Sequence, residues 1–313
     1  MRIGIDIGGT NIGMGLLNSK LDMVYKSEMP TEKEKGYQYI RDKLIHAIED
    51  MISRAGELGE KLDSIGIGIP GIADEEGDKV IFCTNLGWSN VPLGRDIRAR
   101  FQIPVYIGND ATVAAIAESA LGASRGYANS LFITIGTGIG GGIILDKKVY
   151  SGSHGLGSEI GHMIVGENFY DCNCGNRGCL ETFASSTAME RYVRWEIERG
   201  FGDSLLLKDI ENISAKAIFE GAAKGDRLSN MAVDRMVKYL VIGIANLINI
   251  LDPDIIVLGG GVARAGDFLL ERVRGLLPKY LLFKEMEYGK IELARLGDQA
   301  GIIGAAILGD YSQ

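Results

Sequence analysis

The chain has 313 residues, 46% hydrophobic and 24% charged, a soluble globular composition that excludes a disordered chain. Asp and Glu number 41 against 33 Lys and Arg, a formal charge of −8 with no basic run longer than a pair, so no nucleic-acid partner is expected. Glycine is the outlier, 44 residues where a share of roughly 7% is usual, while only 6 prolines argue against a collagen-like or linker-rich chain.

The N-terminus runs straight into Ile3-Gly4-Ile5-Asp6 without a charged-then-apolar leader, so a cytoplasmic protein is expected. Short apolar runs at Ile3–Ile7, Ile12–Leu17 and Met23-Val24-Tyr25, separated by turn residues, predict a strand meander. Thr31 with Glu34 three residues on reads as a capping box. It precedes Tyr37, Ile40, Leu44, Ile48, Met51 and Ala55 at helical spacing, with Gly56 and Gly59 closing that helix. Strands are expected at Ser64–Ile69, before Pro70-Gly71, and at Val105–Gly108, before Asn109-Asp110. Ala111–Leu121 is alanine-rich and helical.

A second set opens with strands at Leu131–Ile135 and Gly142–Leu145 around a glycine run. After a glycine- and cysteine-rich loop the chain turns helical near Glu181, and a long helix is predicted over Met231–Leu251. Its apolar part, 239–251, is short of the ~20 residues that span a bilayer, so no membrane is expected. Ile255–Leu258 reads as a buried strand and Gln299–Leu308 as a last, small-residue helix. Two halves, each opening on a hairpin around glycines, predict α/β architecture with two similar lobes.

Glycine runs end three of the strands. Asp6-Ile7-Gly8-Gly9-Thr10-Asn11 offers consecutive backbone N–H groups and two side-chain donors to phosphate oxygens, and Asp6 can hold magnesium through water. Gly136-Thr137-Gly138-Ile139-Gly140-Gly141-Gly142 repeats the design. It is not a Walker loop, because no Gly-Lys-Ser/Thr follows, and not a dinucleotide fingerprint, because the chain leaves it as a strand. Gly259-Gly260-Gly261 lets backbone approach a flat adenine or ribose. Asn109-Asp110 opens a helix, where Asp110 reads either as an N-cap or as a general base.

His162-x9-Cys172-x-Cys174-x4-Cys179 is the sharpest local signal. One imidazole and three thiolates, with Gly175 and Gly178 permitting tight turns, fit a closed tetrahedral zinc site; His154 is a competing ligand. Cys83 reads as a core thiol and His46 as surface. Glu159 and Glu181 flank the metal loop, and carboxylates suit sugar hydroxyls, which both donate and accept.

Together these residues resemble the ROK family of sugar kinases, most closely its glucokinases. The resemblance runs through Asp6–Asn11, Gly66–Gly71, Asn85-Leu86-Gly87-Trp88, Asn109-Asp110, Gly136–Gly142, Glu159–His162, Cys172–Glu181 and Leu258–Gly261 after Asp252-Pro253. It implies an actin-like ATPase, ribonuclease H-like fold of two α/β lobes with an interlobe cleft. The expected small lobe is 1–118 with 300–313, and the large lobe 119–299. The implied activity is ATP-dependent phosphorylation of a hexose 6-hydroxyl, with Mg2+ accompanying ATP and a structural Zn2+ on His162, Cys172, Cys174 and Cys179. Asp110 is the implied base. Asn109, Glu159, His162 and Glu181 resemble the sugar binders, with Gly71 and Asn85 beside them. Asp6, Gly8, Gly9, Thr10 and Asn11, and the turn Thr134, Gly136, Thr137, Gly138 and Gly140, hold phosphates; Gly259, Gly260 and Gly261 hold adenosine. One His162 nitrogen binds zinc and the other is left for the sugar.

The loop Asn85–Leu93 resembles the glucokinase version, which favours glucose; N-acetylmannosamine, N-acetylglucosamine and fructose are the alternatives. A sugar-sensing regulator is the rival class, disfavoured because Asp6 leaves no room for a preceding DNA-binding segment. The family resemblance implies a homodimer or homotetramer. Most of the glycine surplus is expected to lie around the phosphates, the sugar and the metal.

Overall fold

The computed structural model describes residues 1–74 and 76–311. The chain divides into two compact units: Met1–Ala128 with Gly142–Ser158 and Arg295–Gln313, and Asn129–Gly141 with Glu159–Ala294. Ser312 and Gln313, included in the expected small lobe, lie outside the described residues.

The first unit opens on β1 (Arg2–Ile7), β2 (Asn11–Leu17), β3 (Met23–Pro30), helix α1 (Gly36–Glu57) and β4 (Ser64–Ile69). A small antiparallel sheet follows, β5 (Ile72–Ala73), β6 (Val80–Cys83) and β7 (Trp88–Val91), and then α2 (Leu93–Phe101), β8 (Val105–Asn109) and α3 (Asp110–Ala120). The main sheet has order β3-β2-β1-β4-β8, with β1, β4 and β8 parallel. The second set is β9 (Ser130–Ile135), β10 (Ile139–Leu145), β11 (Lys148–Val149), α4 (Glu181–Ala184), α5 (Ser186–Glu198), α6 (Ala215–Ala223), α7 (Arg227–Leu251), β12 (Ile255–Gly259), α8 (Asp267–Leu276) and β13 (Lys290–Leu293). Its sheet order, β11-β10-β9-β12-β13, repeats the first: a hairpin on one side of the founding strand, parallel strands on the other. The expected pair of similar α/β halves is borne out. Among the described residues no helix is long and apolar enough to cross a membrane.

Local chemistry explains where elements outrun their apolar cores. β3 continues past Tyr25 to Pro30 because half-buried and exposed side chains alternate along it, the signature of an edge strand with one face toward the core. α7 begins four residues before Met231, since the Asp226 carboxylate accepts the Ser229 N–H at 2.8 Å and caps it. The capping box is not formed. α1 starts at Gly36 after a 3-10 turn at Lys33–Lys35, with no side-chain cap, and Thr31 is fully buried with its hydroxyl directed to the Gly8 carbonyl. The pairing of Asn11 with Pro30 carries Thr31 into the sheet before the helix can begin.

The glycine surplus also has a different owner. Gly4 and Gly66 face each other across β1 and β4, and a Cβ on either would collide with the Ile302 or Ala305 carbonyl of α9 (Ala300–Ala306). Gly304 meets the Val113 carbonyl of α3 in the same way, and Gly142 meets Ala115 and Ala111. Part of the excess therefore lets small helices lie directly on strands and on each other rather than shaping a ligand site.

α3 is fastened by Glu118, fully buried in a helix of alanines. Its carboxylate accepts the Ala123 N–H at 2.6 Å and those of Arg295 and Leu296 at 2.9 and 2.8 Å. Glu118→Ala leaves three backbone donors unmatched, one buried and two part-buried, and about 3–5 kcal/mol of stability is lost. The melting temperature is expected to fall by roughly 10 °C, with Glu118→Gln intermediate. Scanning calorimetry checks this; a change under 2 °C would show the carboxylate to be dispensable.

Candidate functional site

In the first unit the parallel strands end together. Asp6 of β1 is level with Gly68 of β4, and Gly68 and Ile69 are level with Gly108 and Asn109 of β8. Carboxyl ends of parallel strands are where open α/β sheets bind ligands, because loops and helix N-termini meet there. Asn109 caps α3: its amide oxygen accepts the Ala111 and Thr112 N–H groups at 3.0 and 3.2 Å, and its Nδ2 donates to the Gly71 carbonyl at 3.3 Å. The N-cap is thus Asn109, and Asp110 is the first helical residue, its Oδ1 accepting the Ala111 N–H at 2.8 Å. The structure brings Asn109, Asp110 and Gly71 together.

The turn after β1 is closed by a hydrogen bond from the Gly8 N–H to the Asn11 carbonyl at 2.9 Å. Asn85 lies beside it, its Cβ 3.8 Å from where a Gly9 Cβ would stand. Asn11 donates from Nδ2 to Glu28 at 2.6 Å, while Thr10 is exposed. Asp6 is largely buried, and burial raises its carboxyl above the ordinary aspartate range. Gly301 passes so close that a Cβ there would strike the Asp6 carboxylate. Trp88 is not a wall for a ligand; it is 3% exposed and packs edge-on against Tyr37 at 5.5 Å.

In the second unit the β9–β10 turn is closed by the Gly136 N–H donating to the Gly138 carbonyl at 2.9 Å. Thr134 stands just before it, and Gly136, Thr137 and Gly138 form it, with Gly140 following in β10. The Ser186 N–H donates to the Gly136 carbonyl at 2.8 Å, which ties the start of α5 to the turn. Gly259 ends β12 and Gly261 leads the next 3-10 turn. Gly260 between them has φ of 83°, and a Cβ there would come within 2.7 Å of the Thr134 hydroxyl. The predicted phosphate and adenosine segments of this unit are therefore neighbours. Glu181 joins them, with Oε2 at 2.7 Å from a Gly138 Cβ position. Glu159 is exposed and precedes the 3-10 turn that carries His162.

His162, Cys172, Cys174 and Cys179 place one ligand atom each within 4.8 Å of one another. Cys172 Sγ lies 3.5 Å from His162 Nδ1, and the Cys174 and Cys179 sulfurs are 3.7 Å apart. Gly175 and Gly178 have φ of 88° and 80°, the left-handed turns that fold the loop back. The Cys172 thiol donates to Glu181 Oε1 at 2.9 Å, and burial first, then that carboxylate, push its pKa up. His154, the competing ligand, is not in the cluster. Cys83 is buried as expected, and His46 is exposed.

Thr31 and Gly301 were not legible as site residues. Thr31 resembles a helix cap in sequence, and Gly301 is one small residue among several.

Residues 2–311 match the model of the ROK family. The chain belongs to the ROK family. It is 36% identical to a glucokinase of Halalkalibacterium halodurans, covering 98% of this chain and 94% of that protein. It is 34% identical to a putative xylose repressor of a Caldicellulosiruptor species, over 98% of this chain and 77% of that one. A ROK glucokinase from Streptomyces griseus, solved with glucose and AMPPNP, superposes with a TM-score of 0.82 at 32% identity and 98% coverage of both chains. The expected two-lobe actin-like ATPase fold is the fold of this ROK protein.

Proposed function

We propose that this ROK protein transfers the γ-phosphoryl group of ATP to the 6-hydroxyl of a hexose, glucose being preferred. The observation that carries the reading is Asp110 at the first turn of α3, at the carboxyl edge of the β1-β4-β8 sheet that also ends in Asp6 and the Gly8–Asn11 turn. Asp110 accepts the 6-hydroxyl proton, the 6-oxygen bonds to the γ-phosphorus, and ADP leaves. Asn109, Glu159, His162 and Glu181 bind sugar hydroxyls, with Gly71 and Asn85 shaping the adjoining loops. The two glycine turns supply N–H donors to phosphates, and Gly259–Gly261 line adenosine. Asp6 would hold, through water, the magnesium that accompanies ATP, and that ion would supply neutralisation of phosphate charge.

The donor set of His162, Cys172, Cys174 and Cys179 fits zinc. Tetrahedral thiolate ligands at about 2.3 Å stand about 3.8 Å from one another, and the Cys174 and Cys179 sulfurs are 3.7 Å apart. The role would be structural: His162, Cys172, Cys174 and Cys179 would hold the metal, which would fix the His162 ring and the loop that leads to Glu181. The protein is further read as a cytoplasmic homodimer or homotetramer, which light scattering on the purified chain checks.

A coupled ADP assay over a sugar panel tests the function. Glucose is expected to give the highest kcat/KM, at least tenfold above N-acetylglucosamine, N-acetylmannosamine and fructose. ADP formation with none of them would overturn the kinase reading and favour a sugar-binding regulator.

A further inference from the structure

The Gly8–Asn11 turn owes its shape to a residue outside it. Thr31, with no exposed surface, makes two hydrogen bonds to the turn, its Oγ1 donating to the Gly8 carbonyl and its N–H to the Thr10 carbonyl, both at 2.7 Å. A peptide plane carries its C=O and the next residue's N–H in opposite directions. Fixing the Gly8 carbonyl therefore fixes the Gly9 N–H, and fixing the Thr10 carbonyl fixes the Asn11 N–H, each pointing away from Thr31. This matters most at Gly8-Gly9, where neither residue has a side chain to resist rotation of the plane. A rotated plane would offer an anion its carbonyl oxygen instead of its N–H.

We infer that Thr31 is a positioning residue for nucleotide phosphates, acting through the Gly8–Gly9 peptide. This rests on the reading of that turn as a phosphate site. It touches no substrate itself. The hydroxyl is the group that matters, because the backbone bond to Thr10 survives any side-chain change.

Thr31→Val keeps the shape and removes the donor; Thr31→Ser keeps the donor. Calorimetric titration with AMPPNP and magnesium gives the dissociation constant without needing turnover, and steady-state assays give KM for ATP and for glucose. Thr31→Val is expected to weaken AMPPNP binding and raise KM for ATP about tenfold, the effect of one lost hydrogen bond. KM for glucose should stay within twofold, and Thr31→Ser should match the wild type within twofold. Equal AMPPNP affinity in the Val and Ser variants overturns the inference, as does a loss that falls equally on glucose. If Thr31→Val does not fold, Thr31→Ala read against Thr31→Ser decides on the same criterion. A wild type that binds AMPPNP but makes no ADP would overturn the kinase reading alone.

Discussion

Asp110→Asn is expected to lower kcat by about 10²–10⁴-fold, the usual range for losing a general base, while sugar affinity stays within a few fold. The substitution preserves shape, and an amide oxygen can still accept the Ala111 N–H that Asp110 Oδ1 accepts at 2.8 Å. What it cannot do is take a proton. The helix geometry should survive, because the cap belongs to Asn109, which bonds both the Ala111 and Thr112 N–H groups. This separation of labour keeps the cap out of the experiment, and the lost first-turn charge costs only about 0.3–1 kcal/mol of helix-dipole energy. Quenched-flow or coupled kinetics beside calorimetric sugar titration give the two numbers. Turnover within threefold of wild type would remove Asp110 from the role of base. Loss of sugar binding together with turnover would make it a binding residue instead.

These residues differ in how far the sequence alone reveals them. Chemistry that is close in sequence was legible: the His162–Cys179 loop and the Asn109-Asp110 pair fold as their spacing implies, because turns and helix starts are decided within a few residues. The duplicated α/β halves were legible too, since two glycine-split hairpins precede buried parallel strands. Contacts decided by tertiary packing were not. Thr31 followed by Glu34 satisfies a local capping rule, yet the β2–β3 ladder extends to Pro30 and claims the hydroxyl for Gly8. Glycines at Gly4, Gly66 and Gly304, inside expected strands and a helix, gain a reason only when α9 and α3 are laid against them. Trp88 sits in a loop that resembles sugar-kinase sequence, but its indole is core. One missed residue did carry a signal. Ala111, Ala115 and Glu118 lie at i, i+4 and i+7 on the buried face of α3, and a lone carboxylate on such a face needs donors from elsewhere in the chain.

Removing zinc is expected to cost the protein both stability and the local order behind Glu181. Cys179 is fully buried, and its carbonyl accepts the Thr182 hydroxyl at 2.7 Å and the Thr182 N–H at 3.0 Å. Its backbone also bridges Ile164. A metal bond at Cys179 is thus one short step from the start of α4 and from Glu181. Zinc requires thiolates, whereas the protonated Cys172 donates to Glu181, so that hydrogen bond and a full ligand set exclude each other. Losing the metal leaves Glu181 held by a thiol rather than available to a hydroxyl. A ligand bound only by the folded state, present at a thousand times its dissociation constant, adds about 4 kcal/mol. Cys179→Ser, or chelation of the wild type, should therefore lower the melting temperature by roughly 10 °C and abolish the expected one zinc per chain in mass spectrometry. KM for glucose should rise more than KM for ATP, since His162 and Glu181 are the residues the metal loop steadies. Affinity for zinc should fall as pH is lowered, because protons compete for the Cys172 sulfur. A metal-free protein of unchanged melting temperature and full activity would show that the four ligand atoms gather for packing alone.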